Sequence, residues 1–183
     1  APPRDAAPEA DPAQAALPLS AEAPAGALDW GVVARALDFP RDAGDAAGFA
    51  ALEAAMADRG TAELLQAAED ALTILAQHGL YMEDLAVRHA PAALWARVAS
   101  GERGPELRAV GGVESDEAVA EARALLKADP VFRDTAMHLM RRFDALLRRA
   151  AGTAAGEAAL LSIADSRTGR AFMLTAQALG AFD

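Results

Sequence analysis

Residues 129–150, DPVFRDTAMHLMRRFDALLRRA, decide the fold class because their apolar side chains recur with the period of an α-helix. Asp129 followed by Pro130 is a typical helix start, since aspartate caps the helix and proline suits its first turn. At 100° per residue the apolar side chains fall within one sector of about 120°. The members of that sector are Phe132, Ala136, Leu139, Met140, Phe143, Leu146, Leu147 and Ala150. Other elements must cover such a sector, which predicts a helix that contributes to a helical core.

The second half of the same helix, residues 137–149, carries four of its five arginines. Arg141 and Arg148 lie opposite the apolar sector, and Arg142 and Arg149 lie on its flank. The favoured interpretation is a face that is solvated or paired with carboxylates of neighbouring helices. The alternatives are contact of Arg141 and Arg148 with a partner protein, and nucleic-acid binding through residues 130–150. Acidic residues outnumber basic ones 27 to 17 and the formal net charge is −10, which opposes binding to polyanions.

Helical patterns also cover the rest of the chain from residue 28 onward. Asp29 predicts the cap of a short helix that Pro40 ends, and Ser115 predicts the cap of a helix that ends near residue 128. Further helices are predicted at residues 45–59, 61–78, 81–88, 91–100, 154–164 and 168–180, with a glycine-rich loop at 100–112. The sequence shows no alternating strand pattern. We therefore predict an all-α, bundle-like single domain of about seven to nine helices over residues 28–183.

Three of these helices, at residues 61–78, 115–128 and 130–150, have the strongest patterns and are predicted to build the core. In the first of them Thr61 is predicted to be the cap, after a break at Gly60. The last helix is predicted to be capped by Asp165 or Thr168. The predicted core residues are Leu72, Leu75, Leu125, Leu139, Phe143, Leu146, Phe172 and Leu179.

The N-terminal segment has a different composition. Residues 1–27 hold six of the ten prolines, and their only large apolar side chains are Leu17 and Leu19. A segment of this kind buries too little apolar surface to offset its ordering entropy. It is predicted to be an extended tail or linker, with Leu17 and Leu19 as partner contacts if it lies in a groove of a neighbouring molecule.

The residue inventory excludes several chemistries. The chain has no cysteine, which excludes disulfides, thiolate nucleophiles and cysteine-bound metals. Its three histidines, at positions 78, 89 and 138, lack the spacing of a metal site, and there is no Walker A, GxGxxG or GxSxG motif. We expect no metal, no cofactor and no catalytic residue, which favours a protein that is not an enzyme.

Two arginines near the C-terminus suggest a weaker alternative. Arg167 and Arg170 stand in the first turn of the last helix, where the helix dipole disfavours cations. They require a compensating partner, which is either a carboxylate within the fold or a bound anionic ligand. The second case predicts a small-ligand binder or an enzyme, with an inter-helical site formed by Arg167, Arg170 or His138.

A segment with residue types favoured at protein interfaces lies around the 100–112 loop. Tryptophan and arginine are common in binding hot spots, and here they are Trp95, Arg97, Arg103 and Arg108. These residues are predicted to contact a partner. The alternative is that Trp95 belongs to the core and the arginines are solvated.

No apolar run approaches the roughly 18 residues of a membrane-spanning helix, so no membrane contact is expected. The leading hypothesis is a non-enzymatic binding or accessory protein that acts through contacts with another protein, as a subunit of a larger assembly. Its expected location is the cytoplasm, or the periplasm if Ala1 follows a cleaved signal peptide. The sequence leaves the partner and the oligomeric state open.

Three segments, LLQAAEDALTILAQHGLYMEDLA, FRDTAMHLMRRFDALL and DSRTGRAFMLTAQALGAFD, carry a resemblance to a known group of proteins. The chain resembles an uncharacterised family of helical proteins from high-GC alphaproteobacteria over about residues 29–183. The resemblance implies a cytoplasmic location. It implies no known activity, so no functional residue is transferred.

Overall fold

The computed structural model describes residues 27–183, and these residues confirm the predicted all-α class. Two short 3₁₀ helices, Met82–Asp84 and Pro105–Val110, accompany the α-helices. The α-helices are α1 (Trp30–Leu37), α2 (Ala46–Met56), α3 (Arg59–Gln77), α4 (Ala92–Ala99), α5 (Asp116–Ala128), α6 (Pro130–Ala151), α7 (Gly156–Asp165) and α8 (Arg167–Leu179). The part of the chain that is described contains no helix with the length and apolar character needed to cross a membrane.

Capping side chains set most of the helix starts. Asp29, Ser115 and Asp129 accept backbone N–H groups at the first turns of α1, α5 and α6, as predicted. The prediction for α3 was wrong, because Asp58 is the cap and Thr61 lies inside the helix. The prediction for α8 was also wrong, because the cap is Ser166.

The prediction of a helix at residues 81–88 was also wrong, because only the short 3₁₀ helix Met82–Asp84 forms there. After the 3₁₀ helix the chain is extended, and Val87 forms an isolated antiparallel bridge with Val113. The Arg88 N–H donates to the Gly112 carbonyl at 2.8 Å, and the Glu114 N–H donates to the Ala86 carbonyl at 2.9 Å. Pairing with a distant segment satisfies the backbone groups that a helix would otherwise pair locally.

Helix α8 lies at the centre of the core. Nearly every side of it is covered, and it packs against α5, α6 and α7. Phe172 of α8 stacks on Phe143 of α6 with 4.5 Å between ring centroids, and Trp95 of α4 lies 6.2 Å from it. From Ala171 onward the helix carries no charged side chain, which is typical of a buried central element.

The predicted core residues mostly lie in this core. Six of the eight are buried, Leu72 is partly buried, and Leu179 is 41% exposed. Leu179 is the last residue of α8, and Gly180 follows it in the left-handed conformation with φ +72°. The turn at Gly180 brings Phe182 into the core, which leaves Leu179 at the surface.

Candidate functional site

α6 carries five arginines, and the four in its second half divide into two pairs with different surroundings. Arg142 lies 2.5 Å from Glu63 of α3, and Arg149 binds Asp58 at 2.8 Å. Arg141 and Arg148 are exposed and form no ion pair with another residue of the described part. The favoured interpretation is therefore confirmed for the flanking pair. The prediction that Arg141 and Arg148 contact a partner stays a prediction.

Asp58 joins α3 to α6. Its carboxylate accepts hydrogen bonds from both terminal nitrogens of Arg149, at 2.8 and 2.9 Å. It also accepts the Thr61 N–H at 2.9 Å and the Thr61 hydroxyl at 2.8 Å. The Arg149 guanidinium holds the pKa of the Asp58 carboxyl well below its usual range, and the Thr61 bonds lower it further. This arrangement stabilises the fold and uses most of the acceptor capacity of Asp58 within the chain.

Two of the three arginines around the 100–112 loop are also paired within the chain. Arg97 binds Glu102 and Glu106 at 2.8 Å each, and Arg103 binds Asp144 at 2.6 Å. Arg108 is exposed. The prediction that Trp95 contacts a partner does not fit its position, because its side chain is 1% exposed. Its apolar indole packs in the core beside Phe172.

Arg167 and Arg170 border a cleft of about 440 Å³, but their donors are largely used within the fold. Arg167 donates to the carbonyls of Asp38 and Pro40 at 2.6 and 3.2 Å. Arg170 donates to the carboxylate of Asp165 at 3.2 Å and, more weakly, to two backbone carbonyls. The cleft lining also contains the carboxylates of Asp38, Glu83 and Asp165. The compensating partners of these arginines therefore lie inside the fold, and the cleft is poorly suited to an anion.

His138 does not join this cleft. It lies half-buried on α6, whereas the cleft is formed by the α1–α2 connection, the first 3₁₀ helix and the α7–α8 junction. The structure therefore does not bring His138 together with Arg167 and Arg170. Leu17 and Leu19, predicted as partner contacts, lie outside the described residues.

A second cavity, of about 500 Å³, is an apolar groove between α2 and α3, and we call it the α2–α3 groove. Leu65 and Leu72 of α3 form its floor, and Phe49, Leu52 and Met56 of α2 form one wall. Phe49 is 48% exposed and Met56 is 55% exposed. The remaining lining residues are Phe39, Pro40, Asp42, Ala62, Gln66, Glu69, Thr73, Ala76 and Arg167.

The wall of the groove follows from the composition of α2. The buried face of this helix consists of the small residues Gly48, Ala51 and Ala55, and the helix packs mainly on α1. Small side chains permit a close approach of the two helices, and a methyl group on Gly48 would lie 2.7 Å from a side-chain nitrogen of Arg35 on α1. The large side chains on the other face, including Phe49 and Met56, are left toward solvent. The regular spacing of these side chains in the sequence predicts the helix but not which of its faces is buried.

The groove has no feature of a metal site. No group of three or more histidine or acidic side chains among residues 27–183 is arranged to hold a metal ion.

Comparison with protein-family models, with curated proteins and with solved structures gives no match to this chain.

Proposed function

We propose that this protein is a non-enzymatic binding protein that holds a segment of a partner protein in the α2–α3 groove. The observation that carries the proposal is the exposure of Phe49 and Met56, seven residues apart on one face of α2, above an apolar floor. Burying such a side chain fully is worth about 1.5 to 3 kcal/mol, so covering two half-exposed ones contributes about 2 kcal/mol in total. Exposed apolar grooves of this kind are typical of protein interaction sites.

The shape of the groove supports a polypeptide ligand over a small molecule. Its α3 side runs from Ala62 to Ala76, which corresponds to about 21 Å at 1.5 Å per residue. Small-molecule sites are usually concave pockets that enclose most of the ligand. A long apolar channel between two helices, with half-exposed side chains at its edge, fits recognition of a peptide segment.

The two rival functions have less support. An anionic ligand at Arg167 and Arg170 would compete with carboxylates and carbonyls that these arginines already bind. Nucleic-acid binding through α6 would rely on Arg141 and Arg148, because Arg142 and Arg149 are paired with carboxylates at α3 and Arg133 donates to backbone carbonyls of α5. The cytoplasmic location remains part of this proposal, with the periplasm as the alternative.

The proposal is tested with the full chain and a display library of random 16-residue peptides. We expect this library to yield peptides that bind the unaltered protein. The same peptides are expected to bind a Phe49→Ser, Met56→Ser double variant about 30-fold more weakly, because a loss of about 2 kcal/mol in binding free energy corresponds to that factor. Both side chains are half-exposed, so the double variant is expected to fold. Fluorescence anisotropy with labelled copies of the enriched peptides measures the dissociation constants.

A matched control replaces exposed apolar side chains elsewhere. Tyr81 and Leu161 are exposed and do not line the groove. A Tyr81→Ser, Leu161→Ser double variant is expected to bind the enriched peptides as tightly as the unaltered protein. Equal binding by the groove variant and the control variant, or no enrichment at all, would contradict the proposed function.

A further inference from the structure

We infer that the segment held in the α2–α3 groove is an amphipathic helix of about fourteen residues with positively charged residues beside its apolar stripe. This inference rests on the proposed function and specifies the partner of the same site. It draws on three properties of the groove, which are its length, the chemistry of its floor and the charge of its rim.

The length and the floor together favour a helix over an extended peptide. A helix of fourteen residues is about 21 Å long, which matches the α3 side of the groove from Ala62 to Ala76. Leu65 and Leu72 in the floor offer no hydrogen-bonding groups. An extended peptide lying on them would bury unpaired N–H and C=O groups, whereas a helix pairs these groups within itself.

The spacing of the lining residues predicts the partner's apolar pattern. Phe49, Leu52 and Met56 follow one another at three and four residues on α2, and Leu65 and Leu72 are seven residues apart on α3. A helix that packs between these two rows presents apolar side chains with the same helical periodicity, at positions i, i+3 or i+4, and i+7.

The rim of the groove is acidic. Four carboxylates on or beside the rim form no ion pair within the described part of the chain. Asp42 and Glu69 line the groove. Glu53 on α2 and Asp70 on α3 are exposed next to it. The basic residues on or beside the rim are Arg167, whose guanidinium donates to backbone carbonyls, and the exposed Arg41, which lies 3.9 Å from Asp38, so the carboxylates outnumber them. Charge complementarity therefore favours lysine and arginine on the flanks of the bound helix.

Two other occupants match the groove less well. Within the N-terminal segment, Leu17 and Leu19 lie in an uncharged run, residues 12–21, that is bounded by Asp11 and Glu22. If this segment lay in the groove, its acidic flanks would lie beside the acidic rim, and like charges repel. In a second copy of the chain, the exposed apolar residues Val131 and Met137 of α6 are six residues apart, or about 120° around the helix, and do not form one stripe.

The sequences and affinities of the peptides enriched above test the inference. We expect them to carry apolar residues at i, i+3 or i+4, and i+7, a net positive charge, and circular dichroism that shows helix formation on binding. A Glu69→Lys, Asp70→Lys variant is expected to bind them about tenfold more weakly. A Glu121→Lys, Glu157→Lys variant, which changes the net charge equally at exposed positions away from the groove, is expected to bind normally.

The remaining outcomes overturn the inference. If the peptides that bind in the groove are acidic or stay extended, the proposed function stands and the inference of a helical, basic partner is refuted. Enrichment of sequences like PAQAALPLSA, residues 12–21, would identify the chain's own N-terminal segment as the occupant. Self-association in analytical ultracentrifugation that Phe49→Ser, Met56→Ser abolishes would identify a second copy. Binding that is independent of the groove would refute the proposed function itself.

Discussion

Replacing Phe172 with alanine is expected to lower the free energy of unfolding by about 3 to 5 kcal/mol, the usual cost of removing a buried phenylalanine ring. Phe172 is fully buried on α8, stacked on Phe143 of α6 and close to Trp95 of α4. Three helices therefore meet at this ring. Its removal eliminates their shared contact and leaves a cavity that the surrounding rigid helices fill only partly.

Urea unfolding followed by circular dichroism measures this effect. Leu179→Ala is the matched control, because Leu179 is on the same helix but exposed, and we expect it to cost less than about 1 kcal/mol. If Phe172→Ala does not fold, Phe172→Leu retains most of the volume and is expected to give a measurable, smaller loss. A cost for Phe172→Ala close to that of the control would contradict the central position of α8.

A double-mutant cycle isolates the aromatic pair. Phe143 and Phe172 stack with 25° between their planes. Such pairs contribute about 0.5 to 1.5 kcal/mol beyond the area that each ring buries. We expect a coupling energy of this size between Phe143→Leu and Phe172→Leu, and additive effects would show that the two rings do not interact.

The sequence predicted the long helices α5 and α6 because their starts and their periodicity agree. Ser115 and Asp129 are caps with side-chain acceptors, and each precedes a clear apolar face. The central position of α8 was missed, although a signal exists. Residues 171–182, AFMLTAQALGAF, contain no charged side chain, which is typical of a helix covered on all sides.

The groove could not be predicted because it depends on which face of α2 packs. An alanine-rich helix offers more than one apolar face, and the close fit of Gly48, Ala51 and Ala55 against α1 decides between them. That choice is made by tertiary packing and has no local signature. The same limit applies to the ion pairs of α6. Its flanking arginines were expected to bind carboxylates, but Asp58 lies 91 residues before Arg149 in the chain.

Replacing Asp58 with alanine is expected to lower the free energy of unfolding by about 2 to 3 kcal/mol, because one carboxylate both caps α3 and holds α6. Loss of an N-cap alone costs about 0.5 to 2 kcal/mol. The change also leaves Arg149 without its bidentate partner. The control is Arg148→Ala, which removes the exposed guanidinium of the residue next to Arg149. It is expected to change the free energy of unfolding by less than about 0.5 kcal/mol.

The pH dependence separates the charge of Asp58 from its capping role. Its pKa is lowered in the folded protein, first by the Arg149 guanidinium, so the unfolded chain takes up the proton at a higher pH than the folded chain. The resulting stabilisation is fully present above about pH 5 and is lost as the pH falls through the unfolded and then the folded pKa.

An Asp58→Asn variant retains a capping acceptor but carries no titrating charge. Its stability deficit relative to the unaltered protein is therefore expected to narrow by about 1 kcal/mol between pH 6 and pH 3, since most of the unfolded aspartates are protonated at pH 3. Urea unfolding of both proteins at each pH measures the difference, in which the titration of the other carboxylates cancels. The stability deficit of an Arg149→Met variant is expected to narrow in the same way, because this substitution removes the main cause of the lowered pKa of Asp58. A deficit that stays constant with pH would show that the ion pair contributes no stability and that Asp58 acts only as a cap.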